Sequence, residues 1–317
     1  MVMSLQNTKT LVGDCSSKIV RRGLIEGKSY IELDFSNVQN KSDEYFVTDF
    51  LECTDQAEIY FRADSELRGL GMRVPEIHEW RKEDRCLVLA DLGNVRLADI
   101  PYVRGIWEDL VDQLANVYNA SGESFLTGYP VHISNRIYDV HAVNKEIDEY
   151  HQARHRFLAI NTAIAADIDI NIEEAKVLLK NLESLRVSPE SMSSQPLVPC
   201  HRDFQTYNIM IWQGKPWVID IQDASLGPFS YDLASLLWDP KVQLSADERE
   251  HLIQHYCGRT GLNVEMVRGS VMDAALVRYT KSAGRQLKLY LDNGKAENLH
   301  RALISLRLIL RMWNVEK

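Results

Sequence analysis

The segment His201-Arg202-Asp203-Phe204-Gln205-Thr206-Tyr207-Asn208 sets a carboxylate and a carboxamide five residues apart, directly after a His-Arg pair. In this pattern the carboxylate orients and deprotonates an attacking hydroxyl, and the carboxamide oxygen helps hold a metal ion against phosphates. A second carboxylate is needed for that metal, and the sequence supplies it downstream. Asn208–Trp212 and Trp217–Ile221 read as two strands, with Gln213-Gly214-Lys215-Pro216 between them as a tight turn. Folding back at the turn puts Asn208 and Asp220 at the same open end. Asp223 adds a carboxylate one bend later. Asp203, Asn208 and Asp220 therefore form an all-oxygen set of the kind that suits Mg²⁺, which keeps some waters and takes other ligands from substrate phosphates. A chance His-Arg-Asp match would not also bring the hairpin and the downstream Asp220.

The stretch HRDFQTYNIMIWQGKPWVIDIQDASLGPFSYDLASLLWDP resembles the aminoglycoside phosphotransferase and choline kinase superfamily. Within it the chain is most similar to bacterial sugar kinases that phosphorylate N-acetylmuramate and N-acetylglucosamine at the anomeric hydroxyl. The shared patterns are H-R-D-F-x-x-x-N, D-x-Q-D-A and G-P-x-x-Y-D-L-x-S-L-L. Weaker likeness extends to GMRVPEI, LVLADLG, IYDVHAVNKEIDEYH and the basic C-terminal helices. The resemblance implies an α+β, two-lobed, protein-kinase-like fold, with a small β-rich lobe over residues 1–92 and a larger helical lobe over 93–317. ATP would bind between the lobes, its adenine meeting backbone groups at Ala90, Asp91 and Leu92. Asp203 would be the base, and Asn208 and Asp220 the Mg²⁺ ligands. His201, Asp223 and Asp232 would support the site, Asp232 by bracing the catalytic loop; as the opening residue of a helical segment it would otherwise be a plain N-cap. Tyr138, Asp139, Lys145, Glu146 and Tyr150 are acceptor-site candidates by resemblance alone.

The same comparison exposes two departures. Such enzymes usually carry a small-lobe strand lysine against the ATP phosphates, but YIELDF has Leu33 near that place. Lys18, Arg21, Arg22 and Lys28 are the basic residues within reach, and spacing does not choose among them; Glu58 is the candidate helix carboxylate to orient such a cation. The run Gly13-Asp14-Cys15-Ser16-Ser17 stands where a phosphate-covering loop belongs, which would place Ser16 and Ser17 on the nucleotide. It holds a single glycine, and an ordinary hairpin turn explains it equally well.

The elements that must position these residues can be read from periodicity. Tyr30–Phe35 alternates as a half-buried strand, and Cys86–Ala90 reads as a short buried one that runs into an Asp91-Leu92-Gly93 hinge. Asp55–Leu70 carries Tyr60, Ala63, Leu67 and Leu70 on one helical stripe, with Asp55 and Glu58 as N-terminal capping residues and Gly71 as the stop. Helices are expected over 107–118, 143–166, 172–185, 246–257 and most of 271–312, and a Ser- and Pro-rich loop over 188–199. His151/His155 and His251/His255 have metal spacing but lack the Glu of H-E-x-x-H, so they read as solvated or packing pairs. Trp212 and Trp217 are expected to pack across the hairpin. Residues 273–317 hold nine Lys/Arg against four Asp/Glu; this excess reads as a solvated helix face, with attraction of an anionic substrate as the alternative.

Composition bounds the function classes. The 317-residue chain has 36 Lys/Arg against 45 Asp/Glu, a formal charge of −9. That balance disfavours nonspecific binding to nucleic acid. No apolar run reaches membrane-spanning length, and the opening MVMSLQNTKT lacks the apolar core of a signal peptide. The five scattered cysteines form neither a metal spacing nor a disulfide framework, which fits a reducing cytoplasm. The expectation is a cytoplasmic, ATP- and Mg²⁺-dependent kinase acting on a small-molecule hydroxyl acceptor, an amino sugar first. An aminoglycoside or choline-type acceptor, or a nucleotide-binding pseudokinase, are the alternatives.

Overall fold

The computed structural model describes residues 5–11, 18–38, 55–121, 138, 140–159, 170–183 and 189–315. A five-stranded antiparallel sheet opens the chain: β1 Gln6–Leu11, β2 Ile19–Ile25, β3 Lys28–Asp34, β4 Ile77–Arg81 and β5 Cys86–Ala90, in the order β1-β2-β3-β5-β4. Positive φ at Glu26 and Gly27 lets a two-residue turn join β2 to β3. Register pairs Val20 with Leu33 and Leu33 with Leu87, and Leu33 and Leu87 are both buried in the core. Leu33 is thus a packing residue in the place where a lysine was expected.

Helix α1 (Gln56–Gly69) lies against this sheet because its buried stripe runs through Ala57, Tyr60, Ala63 and Leu67, where Tyr60 meets Phe35. Asp55 caps it by accepting from the Ala57 amide at 2.9 Å. Glu58, in the first turn, pairs with Arg62 and Lys82 among the described residues.

The rest of the chain is mainly helical: α2 Arg104–Ala120, α3 Val140–Leu158, α4 Ile170–Asn181, α5 Pro189–Ser193, α6 Ser230–Leu237, α7 Ala246–Thr260, α8 Val264–Asn293 and α9 Ala296–Val315. The helical pattern expected over 271–312 is two helices, separated where Gly294 takes φ +69°. The stretch expected to be a loop holds α5 and strand β6 (Leu197–Cys200), which pairs with β9 (Ser225–Pro228). Proline is tolerated at the start of a helix and in a two-stranded ladder, so composition concealed both elements.

The expected hairpin forms from β7 (Ile209–Trp212) and β8 (Lys215–Val218). Its turn has two residues rather than four, because Gln213 (φ +51°) and Gly214 (φ +72°) both enter the left-handed region. Trp212 and Trp217 meet edge-to-face with centroids 5.4 Å apart. Two segments, the link from α1 to β4 and the stretch that leads from β5 to α2, bond to this hairpin. The Val218 amide donates to the Arg73 carbonyl at 2.7 Å, and the Ile211 amide to the Val95 carbonyl at 2.8 Å.

Helices α3 and α8 pack very closely at one point: a Cβ on Gly284 would lie 2.6 Å from the Cα of Tyr150. Only glycine fits there. Between α7 and α2, His251 pairs with Glu108 and His255 with Asp112. Among the described residues no group of three or more His, Cys, Asp or Glu could hold a metal ion, and no helix is long and apolar enough to cross a membrane.

Candidate active site

Strand β6 delivers the chain to His201, where a tight set of local hydrogen bonds takes over. Arg202 adopts φ +69°, an unfavourable setting for a side chain with a Cβ. The turn is held from below by Asp232, the third residue of α6, whose two oxygens accept from the His201 amide at 2.6 Å and the Arg202 amide at 3.0 Å. Asp232 therefore braces the loop that starts at His201 and is not an N-cap; the residue before α6 is Phe229. Burial pushes the Asp232 carboxyl above its ordinary range, against the opposing pull of His201 and the two amides. His201 is fully buried. Its Nδ1 accepts from the Asp203 amide at 3.1 Å, and its Nε2 lies 2.8 Å from the Ile219 carbonyl, which fixes the Nε2-protonated tautomer and ties the loop to the segment after β8.

This turn presents Asp203, whose side chain is 39% exposed. Its Oδ2 accepts from Asn208 Nδ2 at 2.9 Å and Gln205 Nε2 at 3.0 Å, and its Oδ1 from Arg278 Nη2 at 2.8 Å. Burial by itself would raise the Asp203 pKa, but the Arg278 guanidinium and the other donors hold it below the ordinary carboxylate range. At the other end of the loop, Asp239 accepts from both the amide and the hydroxyl of Thr206.

Asn208 and Asp220 come together as the spacing predicts. The Ile219 amide donates to the Asn208 carbonyl at 2.9 Å, so Asp220 follows immediately beside it. Asp220 also sits in the left-handed region, at φ +70°, before a short turn over Ile221–Asp223. Asn208 turns its Nδ2 to Asp203, which aims its carboxamide oxygen the opposite way. One carboxylate and one carboxamide oxygen are fewer than a cage made of protein alone requires. They match what Mg²⁺ uses when phosphates and water complete its shell, so the residues present fit that ion.

The four basic candidates have different partners. Arg21 is held by Glu32 and Asp34, Arg22 by Asp91, and Lys28 lies over the Tyr30 ring. Lys18, directly before β2, pairs with Asp220 and donates to Gln222 at 3.1 Å. Burial pulls its pKa down to about 8, although Asp223 and Asp203 pull the other way. Lys18 therefore ion-pairs with Asp220 and lies in the field of the Asp223 and Asp203 carboxylates.

The family model described as phosphotransferase enzyme family matches residues 31–266. The chain belongs to that family. Curated relatives include an N-acetylmuramate/N-acetylglucosamine kinase of Neisseria meningitidis, 37% identical over 110 residues, and one of Pseudomonas aeruginosa, 29% identical over 180 residues. These matches cover 32% and 56% of this chain, and 33% and 47% of the relatives. The chain thus spans a third to a half of the length of the curated relatives it matches. Among solved structures, choline kinase from Cryptosporidium parvum superposes with a TM-score of 0.61 at 11% identity, covering 97% of this chain and 89% of that one. Macrolide 2′-phosphotransferase from Brachybacterium faecium gives 0.55 at 14% identity, covering 96% and 93%. At such identities these neighbours establish the fold: the small sheet and larger helical region of kinase-like enzymes.

For this phosphotransferase-family chain, the remaining expected site residues fall in three groups. Ala90 ends β5 and donates its amide to Glu76 at 2.8 Å, Asp91 is anchored by Arg22 and Ser29, and Leu92 is buried. Ser16, Ser17 and Asp139 lie outside the described residues. Tyr138 and Glu146 are buried behind Arg202, and Lys145 is half-buried on α3. The Tyr138 hydroxyl donates to Glu146, which also pairs with Lys281 at 2.6 Å and Arg202 at 3.7 Å. Tyr138 and Glu146 therefore anchor Arg202, and Tyr150 packs on Gly284. Sequence reasoning missed Gln205, Asp239, Arg278 and Lys281. The last two stand three apart on α8, inside the basic excess read as a solvated face, and their burial against apolar neighbours was the available signal.

Proposed function

We propose that the protein is an ATP-dependent small-molecule kinase that transfers the γ-phosphoryl group to a hydroxyl of an amino sugar, of the N-acetylmuramate or N-acetylglucosamine type. The observation that carries this reading is the placement of Asp203, partly exposed, in one cluster with Asn208, which donates to it, and Asp220, which pairs with Lys18. Asp203 receives the acceptor hydroxyl and takes its proton as the oxygen attacks in line. Asn208 and Asp220 would hold Mg²⁺, which neutralises phosphate charge when bound. Lys18 is the cation that faces the phosphates in place of the strand lysine. Ala90, Asp91 and Leu92 offer the backbone edge for adenine.

The amino-sugar acceptor is favoured by the curated relatives' names and by one chemical argument. An anomeric hydroxyl is more acidic than an ordinary alcohol. It suits a base held below the ordinary carboxylate range, which takes a proton less readily than a free carboxylate.

The test is an ADP-release assay with N-acetylmuramate, N-acetylglucosamine, glucose, kanamycin and choline, followed by phosphorus NMR of the product. The expected product is a sugar 1-phosphate. Turnover confined to choline or kanamycin discards the sugar and keeps the kinase. No turnover with any acceptor, together with Mg²⁺-independent ATP binding, supports a pseudokinase.

A further inference from the structure

Among the described residues, the Asp203 carboxylate receives one contact from outside its own loop, and it comes from Arg278. The guanidinium divides its two terminal nitrogens. Nη1 donates to the Arg202 carbonyl at 2.8 Å, and Nη2 to Asp203 Oδ1 at 2.8 Å. The fork therefore grips the left-handed residue and the carboxylate that follows it. Arg278 is itself packed in place, its side chain 12% exposed and its guanidinium 5.8 Å from the Tyr231 ring centre.

Counting lone pairs separates the two carboxylate oxygens. Each offers two acceptor directions. Oδ2 uses both, on Asn208 and Gln205. Oδ1 uses one, on Arg278, and meets no second donor among the described residues.

We propose that Arg278 is a positioning residue that makes Oδ1 the atom that takes the acceptor hydroxyl and sets the direction from which the hydroxyl approaches. This rests on the reading of Asp203 given above. In the step, the O–H bond breaks and its proton passes to Oδ1. The freed oxygen bonds to the γ-phosphorus, and the bridging P–O bond breaks to leave ADP. A lysine at this position would keep the charge but could not hold the carbonyl and the carboxylate with one planar fork.

The test compares wild type, Arg278→Met, Arg278→Lys, Asp203→Asn and the Asp203→Asn/Arg278→Met double variant in kcat, in KM for each substrate, and in Mg·ATP affinity by calorimetry. Arg278→Met is expected to lower kcat about a hundredfold, the scale of an ångström's misplacement, with KM for ATP changed by less than about twofold. Arg278→Lys should recover about tenfold of that loss. In the Asp203→Asn background, Arg278→Met should cost less than about threefold more, since both act through one oxygen. Arg278→Met within about threefold of wild-type kcat, a loss confined to KM for ATP, or multiplying losses in the double variant would each overturn the assignment. If Arg278→Met does not fold, Arg278→Lys carries the same test: wild-type kcat there overturns the requirement for a fork. Asp203→Asn with wild-type turnover would remove the reading of Asp203 itself; an inactive Asp203→Asn beside a fully active Arg278→Met removes only the role of Arg278.

Discussion

The oxygen-bearing groups of the site and the cations that face them are built in different ways. Asp203, Asn208, Asp220 and Asp232 belong to one stretch of chain and are fixed by short-range contacts among the catalytic loop, the hairpin and α6. Lys18 reaches Asp220 across 202 residues of sequence, and Arg278 reaches Asp203 across 75. The first set can take shape wherever the loop and hairpin form. The second exists only when the sheet and α8 are docked on that core. Removing an anion therefore attacks the chemistry directly, whereas removing a cation tests whether docking is part of catalysis.

The largest expected effect breaks the anionic side. Asp220→Ala should lower kcat by about a thousandfold or more, since a metal clamp contributes several kcal/mol. It should also erase the Mg²⁺ dependence of ATP affinity measured by calorimetry. Retained dependence would mean that Asp220 is not a ligand.

Next comes the cationic side. Lys18→Met should cost about 10²-fold in kcat/KM for ATP, the scale of removing one preorganised charge donor at a phosphate. Arg21→Met, whose partners are Glu32 and Asp34, should cost far less in steady-state assays; the reverse order would reassign the phosphate-facing cation.

A third change tests docking without touching a charge. Gly284→Ala must push α8 off Tyr150, with a loss of about 1–3 kcal/mol in denaturant unfolding. It should also lower kcat, because Arg278 rides on the same helix; full activity in a destabilised protein would uncouple helix placement from catalysis.

The smallest effect is a control. Gly214→Ala places a Cβ in a left-handed turn at a cost of about 1 kcal/mol, and kcat should stay unchanged. A fall in kcat would show that the turn's geometry reaches the metal ligands.

This difference also governs what could be read before the structure. Asp203, Asn208 and Asp220 were legible because hairpin geometry converts their spacing into proximity. Lys18 is one of four candidates in the sequence, since no sequence rule states which basic residue near β2 and β3 meets Asp220, 202 residues away. Arg278 was hidden among other charges, because helical periodicity identifies a buried face and not the carboxylate that face will meet. Strand β6 was concealed for a related reason: its partner β9 is remote in sequence and carries Gly227 and Pro228, residues that usually mark loops. Tyr138 and Glu146 reached the list of acceptor candidates through resemblance, and burial shows the work they do behind Arg202.

The grip of the α1–β4 link and of the stretch after β5 on the β7–β8 hairpin has a mechanical consequence. The hairpin is an axle, clasped by the carbonyls of Arg73 and Val95. Points near an axle barely travel when a body rocks about it, and points far along the arm sweep widely. Asn208 and Asp220 lie at the end of the axle itself, whereas Lys18 rides on the sheet. A rocking of the sheet would therefore leave the metal-side oxygens in register with Asp203 and change mainly the reach of the lysine. In such an arrangement the arm can swing while its bearings stay still.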